Sequence, residues 1–467
     1  MAAIADGEYE KSVDIIRERN PFPAVCGRIC IHPCEYKCRR GELDQPVAIR
    51  ALKRVASDWY FENIGPQRDP FPITREEKIA VVGAGPAGLT CAYFLAKMGY
   101  QTTVFEAQPV AGGMLGIAVP EFRLPRQVIE EEIQYIQNCG VDIRYNSPID
   151  AKHTFNDLIS EGYSAVFIAA GAQASKHIGI PGEDENLEGI YYGLDFLSKV
   201  RMGQDVPLSG KTVVIGGGNV AVDVARTALR SGAHDVQIFC LEPRDEMPAW
   251  EKDVEEAIDE GIIINPEASP SNITQKDGRV TGIEFTHCVC VFDDEGCFNP
   301  TCDLEDTRLV EADNILISIG QAADMSFLSA DSQLERELWG ALVVDTNTLA
   351  TNVPGVFAGG DFTTGPTFVI RAIASGRRAA IAIDKYLGGD KGRVYIPDEK
   401  SARHTATKLA LEEESTEDKP RIDVEFEDAK ERIKDFREVE KGLNEEEAYR
   451  EAIRCLRCDL EKEENGI

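Results

Sequence analysis

Gly83, Gly85 and Gly88 stand in the spacing G-x-G-x-x-G, where an apolar run, Ile79 to Val82, gives way to a helical pattern, Leu89 to Met98. That spacing suits a pyrophosphate. The first glycine permits a tight turn, the second lets the backbone approach the phosphates, and the third lets the helix pack closely on its strand. The phosphates, beside Ala87, then sit at a helix N-terminus, where free N–H groups and the dipole favour an anion. Glu106 closes the next apolar strand, Thr102 to Phe105, and is placed to accept hydrogen bonds from ribose hydroxyls. With strand, helix, second strand and terminal acid all in place, Lys78 to Ala107 predicts a dinucleotide site rather than an incidental glycine-rich turn.

The same grammar recurs from Lys211 to Glu242, with Gly216, Gly218 and Ala221 in the spacing G-x-G-x-x-A and Asn219 and Val220 between them. Two such units in one chain imply two dinucleotides. Glu242 ends the second strand of this repeat, and an acid there favours a free ribose 2′-hydroxyl, hence NADH. Arg244, two residues on, could still reach a 2′-phosphate, so the expectation is NAD(P)H. Short apolar strands ending in glycine return at Asn314 to Gly320 and at Val356 to Asp361. The second leads into a helix from about Thr367 to Tyr386. The chain therefore re-enters its first domain, at Gly360 and Asp361, after the second is complete. Asp361 also suits an ordinary helix N-cap.

The other chemistry-bearing constellation is a ladder of Cys26, Cys30, Cys34 and Cys38. Gly27 and Pro33 predict a loop able to wrap a cubane, and thiolate ligation of a [4Fe-4S] cluster is the natural reading. Zinc and buried free thiols are the alternatives. Cys455 and Cys458, in EAIRCLRC, are expected to end a helix that begins near Asn444, and could ligate a second cluster or share in the first. An incidental surface pair is the other reading. Cys288, Cys290, Cys297 and Cys302 read as incidental thiols of a hairpin, and Cys91, Cys139 and Cys240 as core.

These elements sit in a chain of 467 residues with a formal charge of −31 and 13 cysteines. Such a charge excludes nucleic acid and anionic lipid as partners. No apolar run reaches the roughly 18 residues that a membrane span needs. Odd, abundant cysteine without a leader pattern points to a reducing cytoplasm and to metal or core thiols rather than disulfides. The organisation expected is an iron–sulfur domain over 1–75, a first dinucleotide domain over 76–195 and 320–390, a second over 196–319, and an acidic C-terminal extension over 391–467. Within that extension 400–430 reads as a solvated or disordered tail.

GAGPAGL, FEA, GGMLGIAVPEFRLP, GGGNVAVDVARTALR, EMPA and GVFAGGD, in this order, resemble the glutamate synthase small subunit. They equally resemble its relatives, the NADPH-binding subunits of electron-bifurcating transhydrogenases and the N-terminal part of dihydropyrimidine dehydrogenase. The resemblance covers about residues 20 to 390. It implies an α/β fold of two Rossmann-like domains, the nucleotide domain inserted in the FAD domain, behind a small helical iron–sulfur domain. It gives FAD to Gly83, Gly85, Ala87, Gly88 and Glu106, with Gly113, Met114 and Arg123 on a loop near the flavin and Gly360 and Asp361 on the ribityl–phosphate side. It gives NADPH to Gly216, Gly218, Asn219, Val220 and Ala221, with Glu242, Arg244 and Gly320 alongside. Close relatives carry two arginines where this chain has Leu241 and Glu242, which again leaves the nucleotide as NAD(P)H. In GR-x-C-x₃-C-x₃-C the family matches Cys30, Cys34 and Cys38, so Cys26 is an addition. The family's earlier cysteine block is missing here, and EAIRCLRC resembles it at the other end of the chain.

The function expected is electron transfer between NAD(P)H and other redox subunits of a complex, through FAD and a [4Fe-4S] cluster, in either direction. No catalytic acid–base residue is expected, because the cofactors carry the reaction. Glutamate synthase small subunit proper, a thioredoxin-reductase-like disulfide oxidoreductase and a non-catalytic nucleotide-binding scaffold are the alternatives.

Overall fold

Ile79 to Val82 are apolar and buried on both faces, as a central parallel strand must be. In the computed structural model, which describes residues 1–184, 186–328, 332–337, 340–390 and 420–458, they belong to strand Lys78–Val82. It lies mid-sheet in a parallel array ordered Val356–Ala358, Tyr163–Ile168, Lys78–Val82, Gln101–Phe105, Asp142–Arg144. A second parallel sheet runs Ile190–Tyr192, Asn314–Ile317, Lys211–Ile215, Asp235–Phe239, Ile263–Asn265. Val356–Ala358 follows the whole second sheet in sequence yet edges the first, so one domain is inserted in the other. The crossing is a small ribbon in which Gln321–Ala322 pairs antiparallel with Ala174–Ser175. An antiparallel sheet of Ala268–Lys276, Arg279–Phe292 and Phe298–Glu311 completes the inserted part. No helix among the described residues is long and apolar enough to cross a membrane.

The N-terminal region is helical as far as Asn63. Its cysteine segment departs from the expected loop. Pro23–Ile29 is a helix containing Cys26, Cys30 is its extended cap, and Pro33–Tyr36 restarts a helical turn that contains Cys34. Gly27 serves packing here, since a Cβ would stand 2.8 Å from the Arg54 backbone on helix Ile49–Asn63. The Pro23–Ile29 helix is begun from a distance: Glu132 accepts the N–H groups of Ala24 (2.7 Å) and Val25 (3.3 Å). Burial lifts the Glu132 carboxyl from 4.5 to about 8, against the pull of those N–H groups and of Arg17. Between those values the folded chain keeps a proton that the unfolded chain has lost, so this residue makes stability fall as pH rises. Denaturation midpoints measured from pH 5 to 8 should show that decline in the wild type and a flatter profile in Glu132→Gln.

The described part of the C-terminal extension, 420–458, is docked on the rest of the chain, and it carries the helix expected from Asn444. Residues 391–419, most of the expected tail, lie outside the described residues; 420–458 packs against all three other parts. Arg432 donates to Glu260 of the inserted domain (2.8 Å), and the Val439 N–H donates to the Phe122 carbonyl of the first domain (3.0 Å). Glu438 accepts from Arg28 at 2.8 Å and pairs with Arg54 at 3.0 Å in the cysteine-bearing region. Helix Glu445–Ala452 starts with a capping box on Asn444 and buries Ala448 and Ala452 in the same core as Ile4 and Leu52. Cys455 and Cys458 follow this helix rather than ending it, because it stops at Ala452.

Candidate functional site

Both glycine turns face one cavity of about 1300 Å³. At the first turn Gly83 has φ +99°, and a Cβ would stand 2.5 Å from the Ala169 carbonyl oxygen, so only glycine fits. Gly85 is different: its nearest neighbour to a Cβ is Gly113 Cα at 3.8 Å, which leaves an open cradle at the head of helix Pro86–Met98. Gly88 closes the helix onto the turn, and Ala87 lines the cavity. Glu106 is held on the rim by the N–H groups of Ala84 and Gln108, each at 2.8 Å, and burial raises its carboxyl against them. Gly113, Met114, Gly360 and Asp361 line the same side. Asp361 accepts from Thr367 N–H (3.1 Å) and hydroxyl (2.7 Å), and burial raises it.

At the second turn Gly216 has φ +135° and a Cβ would run into the Ser318 carbonyl. Gly218 has ordinary extended dihedrals and nothing within 4 Å of a Cβ. The protein thus leaves this position empty for a ligand at the head of helix Asn219–Arg230. Gly218→Val is therefore expected to melt within about 1 kcal/mol of the wild type while losing most of its nucleotide affinity, measured by calorimetry beside thermal denaturation. Val220, Glu242 and Gly320 line the cavity; Ala221 is buried beneath the turn. Asn219 donates to Asp253 at 2.6 Å and accepts the Trp250 N–H at 3.3 Å, so its side chain orders the neighbouring loop.

Two residues stand apart from their expected roles. Arg123 lines the cavity, but its guanidinium spans the domains, donating to Asp223 (2.8 Å) and Asp253 (2.9 Å). It clasps the inserted domain to the loop of the first. Arg244 is held by both oxygens of Glu251, at 2.7 and 2.9 Å, and does not line the cavity. The Arg123 pairing has no local signal, since its partners lie 100 and 130 residues away, whereas Glu251 is only seven residues from Arg244.

The cysteine segment forms another wall of this cavity through Arg28, Cys30 and His32. His32 and Tyr36 also meet Trp250 of the inserted domain edge-on, with ring centroids 5.6 and 6.0 Å apart. A hydrogen bond from the Cys26 thiol lowers Cys30 to about 6; burial opposes this, while the His32 N–H, Lys53 and Arg50 add to it. Sharing that hydrogen bond, together with burial, pushes Cys26 up. An electropositive thiolate site suits an anionic cluster. The sulfurs of Cys26 and Cys30 meet, whereas Cys34 is exposed, and among the described residues no three ligating side chains converge on one point. Cys288 lies opposite Cys302 across the hairpin, and neither lines the cavity.

Two glycine turns facing one cavity, an inserted nucleotide domain and a thiol-rich helical region define an oxidoreductase that joins two dinucleotides to an iron–sulfur domain. The chain belongs to the pyridine nucleotide-disulphide oxidoreductase family, whose model matches residues 77–376. Residues 1–64 match dihydropyrimidine dehydrogenase domain II, a 4Fe-4S cluster domain. FAD, NAD(P)H and a [4Fe-4S] cluster are accordingly its cofactors. The chain is 41% identical to the NADP(+)-dependent formate dehydrogenase subunit beta of Moorella thermoacetica, over 98% of this chain and 68% of that protein. It is 30% identical to the NAD-dependent dihydropyrimidine dehydrogenase subunit PreT homolog of Salmonella typhi, over 81% and 85%. In fold it is similar to Mycobacterium tuberculosis FprA in complex with NADPH, with TM-score 0.58 and 18% identity over 82% of this chain and 99% of that one.

Proposed function

We propose that this chain carries electrons between NAD(P)H and a partner redox subunit, with the first turn holding FAD, the second the nicotinamide nucleotide, and the cysteine ladder the cluster. FAD supplies the chemistry that joins the two ends, since it exchanges a hydride with a nicotinamide and single electrons with a cluster. The residues do the rest. Gly83, Gly85, Ala87, Gly88 and Glu106 hold the pyrophosphate and ribose of FAD. Gly113, Met114, Gly360 and Asp361 enclose its far end, and Arg123 keeps the nucleotide domain in position over it. Gly216, Gly218, Asn219, Val220 and Ala221 present the nicotinamide nucleotide, with Glu242 and Gly320 beside them.

Cys26, Cys30, Cys34 and Cys38 supply the thiolates. Arg454 bonds Asp44 (3.0 Å) and the Gln45 carbonyl (2.7 Å) just past Cys38, which brings Cys455 and Cys458 to the same region. That supports shared ligation or a second cluster there. The observation that carries the whole reading is that Cys30 lines the cavity that both turns face. A complex of redox subunits, in the cytoplasm and without nucleic acid or membrane insertion, fits the charge, the cysteines and the relative named as a subunit beta. The test is anaerobic mixing of the purified, reconstituted chain with reduced nucleotide. The reading expects bleaching of the flavin band and iron in the protein; absence of both would defeat it.

A further inference from the structure

The nucleotide reading above leaves two reductants, and the residues around the second turn discriminate between them. Glu242 follows strand Asp235–Phe239, and its carboxylate reaches back over the glycine turn: Oε2 lies 2.7 Å from where a Cβ on Gly217 would stand. Cys240 and Pro248 bound the same spot at 3.0 and 3.3 Å.

This carboxylate differs from every other one lining the cavity. Glu106 is bonded by two backbone N–H groups, Asp223 and Asp253 by Arg123, Asp361 by Thr367, Glu256 by Arg226, and Glu438 and Glu440 by arginines. Among the described residues, the Glu242 side chain makes no hydrogen bond or ion pair. A half-buried carboxylate with empty acceptor sites, at the end of the strand after a phosphate turn, calls for donors, and the vicinal hydroxyls of an adenosine ribose supply two. A 2′-phosphate brought there would add like charge and no donor.

Among the described residues no basic side chain pairs with Glu242 at this spot. Arg244, the nearest basic residue in the chain, is turned onto Glu251 and does not line the cavity. Lys252 lies over the Phe426 ring at 4.4 Å, on the side of the C-terminal stretch. Arg28, Arg50, Arg54 and Arg123 are committed to Asp58, Glu438, Glu440, Asp223 and Asp253. The other basic residues on the cavity belong to other elements: Lys176 stands beside Gly320, its Cδ 3.8 Å from where a Cβ there would be, and Arg371 lies on helix Val369–Tyr386 of the first domain.

We infer that this site is built for NADH rather than NADPH, with Glu242 as the residue that accepts the ribose 2′-hydroxyl and turns the 2′-phosphate away. Relatives named for NADP and for NAD both occur, so membership of the family leaves the choice to these residues. The inference rests on the assignment of the second turn to the nicotinamide nucleotide.

Calorimetric titration of the flavin-loaded full chain with NAD⁺ and NADP⁺ tests it without relying on turnover. Wild type is expected to bind NAD⁺ at least about tenfold more tightly than NADP⁺. Glu242→Gln, with an unchanged melting temperature, is expected to weaken NAD⁺ and strengthen NADP⁺ so that the gap closes. Tighter binding of NADP⁺ by the wild type, or an NAD⁺ preference that survives in Glu242→Gln, would overturn the inference. Binding of neither nucleotide would overturn the assignment of the site itself, and this inference with it.

Discussion

Replacing Glu260 by alanine is expected to cost about 3–5 kcal/mol of stability, because it breaks a buried ion-pair cluster by removing its shared acid. Glu260 is fully buried at the side chain and accepts from Arg226 (2.7 Å), Arg230 (2.7 Å) and Arg432 (2.8 Å). Burial alone would raise its carboxyl, but the hydrogen bonds from Arg230 and Arg226 outweigh it and hold the group down at about 2. Alanine leaves three guanidinium groups facing one another, of which Arg226 keeps its ion pair with Glu256. Because Arg432 belongs to the C-terminal stretch, the damage should include release of that stretch from the inserted domain. Chemical denaturation measures the cost, and proteolysis near 430 measures the release. The exposed pair Lys434–Glu431 is the control, where Glu431→Ala should change stability by no more than about 1 kcal/mol.

The second large effect is on electron export. Cys30→Ser combined with Cys34→Ser is expected to lower the iron content sharply and to slow transfer to a one-electron viologen dye on the order of a hundredfold, equivalent to about 2.7 kcal/mol of barrier. Flavin bleaching by reduced nucleotide should change far less, because neither cysteine belongs to either glycine turn. Serine is close to cysteine in size, so the helix Pro23–Ile29 and its Glu132 cap should survive. If dye reduction persisted undiminished in the iron-depleted variant, electrons would be leaving the cavity by another route.

Which parts were legible from sequence follows from how local each requirement is. Gly83 and Gly216 need positive φ and have no room for a side chain, a demand that residue type alone reveals. The return of the chain at Val356 was legible because a buried parallel strand is apolar throughout and ends in glycine before a helix. The cysteine segment was misjudged as a loop because what starts its helix is a carboxylate 108 residues away, Glu132. Pro33 and Gly27 mark breaks and close packing equally well, and only the contact with Arg54 tells which.

Charge count gives a solvated tail only for 400–430, most of which lies outside the described residues, and it says nothing of how 431–458 packs. Composition does not show that Glu438, Glu440 and Glu451 meet Arg28, Arg50 and the Ala48 N–H. The same holds for Arg123, whose two aspartates make it a clasp between domains, with pairing that holds its guanidinium protonated more firmly than usual.

The central claim is that the cavity shared by the two glycine turns empties its electrons through the cysteine ladder. Rapid anaerobic mixing with NADH, followed across the visible spectrum, tests it most directly. The account predicts that the flavin band falls first and the broad iron–sulfur absorbance follows it, with the second phase absent from the Cys30→Ser, Cys34→Ser variant. Cluster reduction that precedes flavin bleaching, or a second phase that persists in that variant, would contradict it.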